Sequence, residues 1–343
     1  MSSSAPPAGP PAGLAWADDP LLPGFAEQAP LGPATLVRPL RRPPDRPHPP
    51  ERPRAAVLHV HGYNDYFFQR HLADAFGDAG HAFYAVDLRR AGRSLARRSA
   101  DDPTPPHFMT TLREPGEDLT AAARAVRALE PGLPLVVHAH STGGLTAALW
   151  SFAVRQDATA RPDLLVLNSP FLDLHGPWLQ RAARTSVVEV LGRRRPLAVV
   201  SASPSMYATY QHVSSGGRWD FDTELKRPAG LPARAAWLRA VRHAQLRVAR
   251  GLGIGCPVLV ARSARSGPDS PANPSLDAQD TVLDVARIAT LSRRLGADVT
   301  ELVVPDGVHD LTLSASGPRA VYLESALGWV AERLPVPGRT EDA

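Results

Sequence analysis

The chain has 343 residues, 43% of them hydrophobic, enough to bury a full core in one large domain with an insertion. Its 38 basic residues outnumber 34 acidic ones, giving a formal charge of +4, and they are dispersed among the acids, which argues against a nucleic-acid surface. The single cysteine, Cys256, excludes an intrachain disulfide, and no run approaches the roughly 18 uncharged apolar residues of a membrane span.

Residues 1–22 are rich in Pro, Gly, Ala and Ser and predict a disordered tail. They lack a basic stretch leading into an apolar core, so no secretory signal is expected and a cytoplasmic location fits. Residues 28–41 predict a first hairpin, followed by a Pro/Arg-rich stretch at 43–53. Apolar runs at 57–60, 83–87, 135–138, 164–167, 258–261 and 301–304 then predict strands. Helical stretches at 68–80 and 117–129 lie between the first three. This alternation predicts a mostly parallel sheet covered on both faces. The interval 169–255 interrupts it and predicts an insertion between core segments 23–168 and 256–335, with a short tail at 336–343. The insertion carries Trp178, Met206, Tyr207, Tyr210, Trp219 and Trp237, which fit either a ligand-lining surface or a small core of its own. Its residues 177–195 mix apolar and basic side chains, which fits a transient contact with a membrane surface or, more simply, a solvated helix.

The most informative segment is His138-Ala139-His140-Ser141-Thr142-Gly143-Gly144, between the strand-like run at 133–137 and the helical Leu145-Thr146-Ala147-Ala148-Leu149-Trp150. Strand, tight turn and helix form the context of a nucleophile elbow, here A-x-S-x-G with Ala139 and Gly143 flanking Ser141 at a distance of two. Upstream, the strand at 57–60 ends in His61-Gly62-Tyr63-Asn64-Asp65. In acyl-transfer enzymes of this layout a loop after an earlier strand supplies one oxyanion-hole N–H and the residue after the nucleophile supplies the other. The pair predicted here is Tyr63 and Thr142.

The chain order Ser, acid, His places the base late. His309 follows the last predicted strand in Pro305-Asp306-Gly307-Val308-His309-Asp310 and is the candidate base. His140, next to the serine, is expected to pack behind the elbow. The acid should lie after the strand at 258–261, where Asp269, Asp277, Asp280 and Asp284 compete. With a helix expected over 281–295, Asp280 stands just before it and is preferred. Asp277 and Asp284 remain alternatives, and a helix cap is the plain reading of any of them. No H-E-x-x-H or Cys/His ligand cluster is present, so neither metal nor cofactor is expected.

These stretches resemble the α/β-hydrolases of the monoacylglycerol lipase and lysophospholipase group, which overlaps the serine aminopeptidase-like hydrolases. The resemblance rests on His61-Gly62-Tyr63-Asn64-Asp65-Tyr66-Phe67-Phe68, Asp87-Leu88-Arg89-Arg90-Ala91-Gly92-Arg93-Ser94, the Ser141 elbow, and Asp280 to His309. It departs from the family pattern at Arg90, where a glycine is usual, at Ala139, and in a long loop over 263–279. It implies an α/β-hydrolase fold, a mostly parallel eight-stranded sheet with an inserted helical cap. It also implies ester hydrolysis of monoacylglycerol- or lysophospholipid-like lipids through Ser141, Asp280 and His309. The alternatives are an aminopeptidase-type amide hydrolase, with Asp220, Asp222 or Glu224 holding a substrate ammonium, and a non-catalytic binding protein on the same fold.

Overall fold

The computed structural model describes residues 15–40, 52–98, 101–174, 178–201 and 205–334. Its strands are β1 (Trp16–Asp18), β2 (Phe25–Leu31), β3 (Ala34–Pro39), β4 (Ala56–Val60), β5 (Ala82–Asp87), β6 (Leu135–His140), β7 (Leu164–Asn168), β8 (Val199–Ser201), β9 (Ala233–Arg234), β10 (Val258–Ser263) and β11 (Val299–Val304). Its helices are α1 (Arg70–Asp78), α2 (Arg113–Leu129), α3 (Ser141–Ala153), α4 (Trp178–Arg194), α5 (Met206–Gln211), α6 (Ala235–Ala249), α7 (Val285–Ser292) and α8 (Ser316–Arg333).

Nine strands form one sheet in the order β1-β2-β3-β5-β4-β6-β7-β10-β11. The six from β5 to β11 run parallel, and β1, β2 and β3 add antiparallel pairs at one edge. The eight strands implied by the resemblance are joined by β1, which falls inside the segment expected to be a disordered tail. Of that segment, residues 1–14 lie outside the described residues, as do 41–51 of the Pro/Arg-rich region and the tail 336–343. Trp16–Asp18 pairs with β2, and the next residue, Asp19, is buried against Arg93.

Strands β4, β6 and β7 are buried along their whole length, which is why they read as continuous apolar runs. One face packs on α2, α3 and α6 through side chains such as Leu119, Leu145 and Trp237. The other packs on α1 and α8 through Leu72, Phe76, Tyr322 and Trp329. Two histidines interrupt the apolar pattern inside the sheet. His59 and His138, on neighbouring strands, place their Nδ1 atoms 2.8 Å apart, and His138 Nε2 lies 2.7 Å from the Tyr322 hydroxyl. One Nδ1 must therefore donate and the other accept.

After β4 the chain goes to β5 on one side of it and then to β6 on the other. The carboxyl ends of β4 and β6 thus flank the point where strand order reverses, the place where open parallel sheets bind ligands. The segment between β7 and β10, which the sequence marks as an insertion, contains α4, the β8–β9 ribbon and α5. It ends in α6, which packs on α3 and shares the main core through Trp237, Val241 and Val248. Helix α4 exposes Val187 and Val190. No helix among the described residues is long and apolar enough to cross a membrane.

Candidate active site

Ser141 begins α3 directly after β6 and holds φ at +53°, the left-handed region that a tight strand-to-helix turn demands. Two glycines make the turn sterically feasible. A Cβ on Gly143 would overlap the His61 carbonyl oxygen, and one on Gly62 would sit 3.1 Å from Ser141 Cβ. The loop after β4 is therefore pressed against the elbow. Ala139, two residues before the serine, points into the buried strand layer, where its methyl group is accommodated.

His309 lies on the loop after β11, with its Nε2 3.0 Å from Ser141 Oγ. Its Nδ1 is 2.9 Å from Asp280 Oδ2. A carboxylate only accepts, so the Nδ1 proton donates to Asp280 and Nε2 is left to accept from the serine hydroxyl. Asp280 is fully buried, and its second oxygen, Oδ1, accepts from the backbone N–H groups of Val282 and Leu283 at 2.8 and 2.7 Å. Its own backbone is paired with the strand of chain at 265–267, N–H to Arg265 carbonyl and carbonyl to Gly267 N–H. The carboxylate has little freedom to rotate away from the imidazole.

The other acids of this loop are engaged elsewhere. Asp284 is the N-cap of α7, accepting from Ala286 and Arg287 N–H groups, and does not lie inside the helix. Asp277 pairs with Arg218 at the surface. Asp269 accepts from the Met206 and Tyr207 N–H groups at the start of α5. Helix α7 starts four residues later than expected, because the Asp280 side chain takes the N–H groups of Val282 and Leu283 and holds that stretch in a turn.

Tyr63, Thr142, Ser141 and His309 all line one cavity of about 400 Å³. Its apolar wall comes from Phe171, Leu174, Leu231, Trp237, Val282 and Leu283. Of the aromatic residues between 169 and 255, Phe171, Tyr207 and Trp237 reach this cavity. Trp219 instead stacks on His71 and donates to the Leu313 carbonyl, and the Tyr210 hydroxyl donates to Leu276. The side chain of Trp178 lies outside the described residues.

Several buried polar residues around the elbow have no role assigned by the motifs, and His140, expected to pack behind the elbow, reaches the cavity. His140 lies beside His309 with ring centroids 4.8 Å apart, donates from Nδ1 to the Asn168 carbonyl, and also lines the cavity. Burial pushes its pKa down. Asp310, next in sequence to His309, accepts from Asn168 Nδ2 and from the Thr312 N–H and hydroxyl. Burial opposes its ionisation, yet His140, Lys226 and the Thr312 hydrogen bonds hold its carboxyl well below the usual range. Asp65, His140 and Asp310 bring one potential metal-ligating atom each within 4.8 Å of one another. A cation is already present there: Lys226 Nζ lies 2.8 Å from Asp65 Oδ1, and both side chains are buried. The sequence held one signal for this group, since Lys226 is the only lysine in the chain.

A family model described as serine aminopeptidase, S33, matches residues 51–249. No curated protein matches the sequence. Among solved structures, the chain is similar to a soluble variant of monoglyceride lipase from Saccharomyces cerevisiae in complex with a substrate analogue. The identity is 14% and the TM-score 0.65, over 97% of this chain and 100% of that one. It is also similar to the monoacylglycerol lipase of Paleococcus ferrophilus, at 17% identity and TM-score 0.59, over 82% of this chain and 96% of that one. A thermostable carboxyl esterase from Bacillus coagulans in complex with glycerol aligns at 15% identity and TM-score 0.56, over 90% of this chain and 94% of that one. The structural likenesses establish the fold, and the family match spans more than half of the sequence and both the elbow and the loop after β4. The chain is an α/β-hydrolase and belongs to the serine aminopeptidase S33 family.

Proposed function

We propose that the protein is a serine hydrolase that cleaves carboxylic esters, monoacylglycerol-like lipids in preference to lysophospholipid-like ones. The observation that carries this reading is the continuous hydrogen-bonded path Asp280–His309–Ser141 opening on a cavity with an apolar wall. Ser141 Oγ attacks the ester carbonyl while His309 Nε2 takes its proton. The N–H groups of Tyr63 and Thr142 stabilise the tetrahedral oxyanion. The imidazolium, stabilised by Asp280, protonates the departing alcohol and leaves an acyl-serine. Water repeats the sequence in the second half-reaction: it gives its proton to His309, attacks the acyl carbon, and releases the carboxylic acid as the proton returns to Ser141.

The cavity favours an ester with an uncharged leaving group over an amino-acyl amide. Among the described residues lining it, Asp65 is the one acid and Lys226 the one lysine or arginine, and they pair with each other. Asp220, Asp222 and Glu224, which an ammonium-binding aminopeptidase would need, do not line it. An unpaired charge for a substrate ammonium or phosphate is therefore lacking in that lining, whereas apolar contact for an acyl chain is plentiful.

A fluorophosphonate probe tests the nucleophile, and a panel of p-nitrophenyl butyrate, monoacylglycerols, lysophosphatidylcholine and aminoacyl anilides tests the substrate class. The expected result is labelling at Ser141, loss of labelling and turnover in Ser141→Ala, and esters preferred over anilides. Undiminished labelling of Ser141→Ala, or faster turnover of the anilides, overturns the proposal.

A further inference from the structure

The loop that follows β4 is tied to the insertion by four consecutive side chains. The Tyr63 hydroxyl donates to the Pro232 carbonyl at 3.1 Å. Asn64 makes a two-way pair with the backbone of Arg227, donating from Nδ2 to its carbonyl at 2.9 Å and accepting its N–H at Oδ1 at 3.0 Å. Asp65 pairs with Lys226 at 2.8 Å, and the Tyr66 hydroxyl accepts the Asp222 N–H at 2.8 Å. Every one of these partners lies between residues 222 and 232. The other face of the same loop is pressed against the elbow at Gly62.

Two features show that this contact is specified by the sequence. Asn64 holds φ at +53°, a conformation that costs a non-glycine residue about 1 kcal/mol, and Asn is among the side chains that tolerate it best. Lys226 is the chain's only lysine, every other basic residue counted with it being arginine. Its compact ammonium fits where a planar guanidinium would need a wider fork of acceptors. It is enclosed by Asp65 Oδ1 and by the rings of Phe68 and Phe221, with Nζ 5.3 and 5.6 Å from their centroids. It also contributes to holding Asp310, the neighbour of His309, in its ionised form.

We infer that Asn64 and Lys226 are positioning residues that fix the Tyr63 N–H through the insertion, so that the oxyanion hole is complete only while segment 222–232 is docked. This rests on the ester-hydrolase reading above, and it adds to that reading a dependence on two side chains at the cavity wall that act by tying down the loop rather than on the reacting atoms. Withdrawal of the segment would free four side-chain ties of the loop at once. A displacement of about 1 Å in a positioning group costs on the order of 100-fold in rate, comparable to losing an oxyanion donor.

The experiment compares Asn64→Ala, Lys226→Met and Lys226→Arg with the unmodified full chain. Asn64→Ala is expected to lower kcat for a short-chain ester by about 10- to 100-fold with KM changed less than about threefold. The affinity of a trifluoromethyl ketone, which requires the oxyanion hole, falls in parallel, and binding of the product acid does not. Lys226→Met is expected to act in the same direction, with Lys226→Arg recovering part of the loss. An activity-independent readout comes from reductive methylation, which modifies only Lys226 among the side chains: Asn64→Ala should speed modification of Lys226 as the segment undocks. Unchanged kcat and unchanged methylation in Asn64→Ala overturn the inference. So does a fall in kcat with ketone affinity intact, which would place the defect outside the oxyanion hole, and so does a parallel loss of product-acid binding, which would mark a general loss of structure. Failure of the ester-hydrolase reading is distinct, because it shows as absent fluorophosphonate labelling in the unmodified protein.

Discussion

At Ser141 the backbone is held at φ +53°, and the same positive φ occurs at Arg90, where the family pattern carries glycine. Each costs about 1 kcal/mol or more, and each is offset by local contacts. Arg90 recovers its cost through its guanidinium, which donates to the Phe108 carbonyl and to Glu114. Ser141 is held by the close approach of Gly62 and Gly143 and by the Phe171 N–H donating to its carbonyl. The acid is where residue identity matters most for the proposed chemistry. Asp280→Asn keeps the size of the side chain, but an amide NH₂ facing His309 Nδ1 favours the wrong tautomer. The expected loss in kcat is up to about 10⁴ with folding retained. Asp284→Asn replaces one good N-cap by another and Asp277→Asn weakens an exposed ion pair, so each should change stability by about 1 kcal/mol or less and leave activity near normal. The three single variants, assayed for kcat/KM on one short-chain ester with circular dichroism as a fold check, decide the matter. Crippled Asp284→Asn beside active Asp280→Asn would transfer the role.

Among the elements, β1 has the consequence least visible from composition. It delivers Asp19 to Arg93, whose guanidinium donates to Asp19 Oδ1 and Oδ2, to Asp87 Oδ2 and to the Phe67 carbonyl, all buried. Gly92 makes room for this, since a Cβ there would overlap the Asp87 carboxylate. Removing one partner of a buried charge network leaves the remainder uncompensated, so Asp19→Ala should destabilise by about 3–5 kcal/mol. Urea denaturation measures this, and a midpoint within error of the unmodified protein would show that Asp87 alone satisfies Arg93. The same element explains what a sequence can and cannot reveal. The runs at 57–60, 83–87, 135–138, 164–167, 258–261 and 301–304 each fall within a strand; the first five lie in interior strands whose apolar signal is local because they are buried on both faces, and the last lies in the half-exposed edge strand β11. β1 is three residues long, contains Asp18 and is stabilised by Arg93, 74 residues away from Asp19, so no window along the chain carries its signal. The start of α7 lies later than the apolar pattern predicts for a related reason: the Asp280 side chain competes for backbone N–H groups, which propensity does not register. Ser141 and His309, which the structure brings together, stand out in the sequence because elbow and loop motifs are local, whereas the Asp65–Lys226 pair joins residues 161 apart.

Across the whole molecule, the histidines give the stability a definite dependence on pH. Burial pushes His71, His81 and His138 each down to about 4, and it holds His59, His107 and His140 below their ordinary value as well. In the unfolded chain these imidazoles take up protons near their unperturbed pKa of about 6.5, whereas in the folded protein His71, His81 and His138 resist protonation until near 4 and the other three also titrate below their ordinary value. Below about 6.5 the unfolded state therefore binds more protons than the native state, and stability rises with pH through this window. Full stability is present above about 6.5 and is lost progressively as pH falls toward 4. For His138, buried between His59 and Tyr322, the shift corresponds to about 3 kcal/mol. Asp310 acts in a different range: its folded pKa is depressed, so its contribution persists through pH 4 and disappears only in stronger acid. The loss just below 6.5 is thus a histidine property, and the depressed carboxylates Glu114 and Asp173 add to it only as pH falls into the carboxylate range. Urea denaturation at pH 7.5, 6.0 and 5.0 should show a steep fall in unfolding free energy. His81→Leu, which removes a buried imidazole whose Nδ1 lacks a hydrogen-bond partner, should reduce the slope by up to one proton, about 1.4 kcal/mol per pH unit. Stability that stays flat from pH 7.5 to 5.0 would mean that these imidazoles are hydrated in solution and titrate normally.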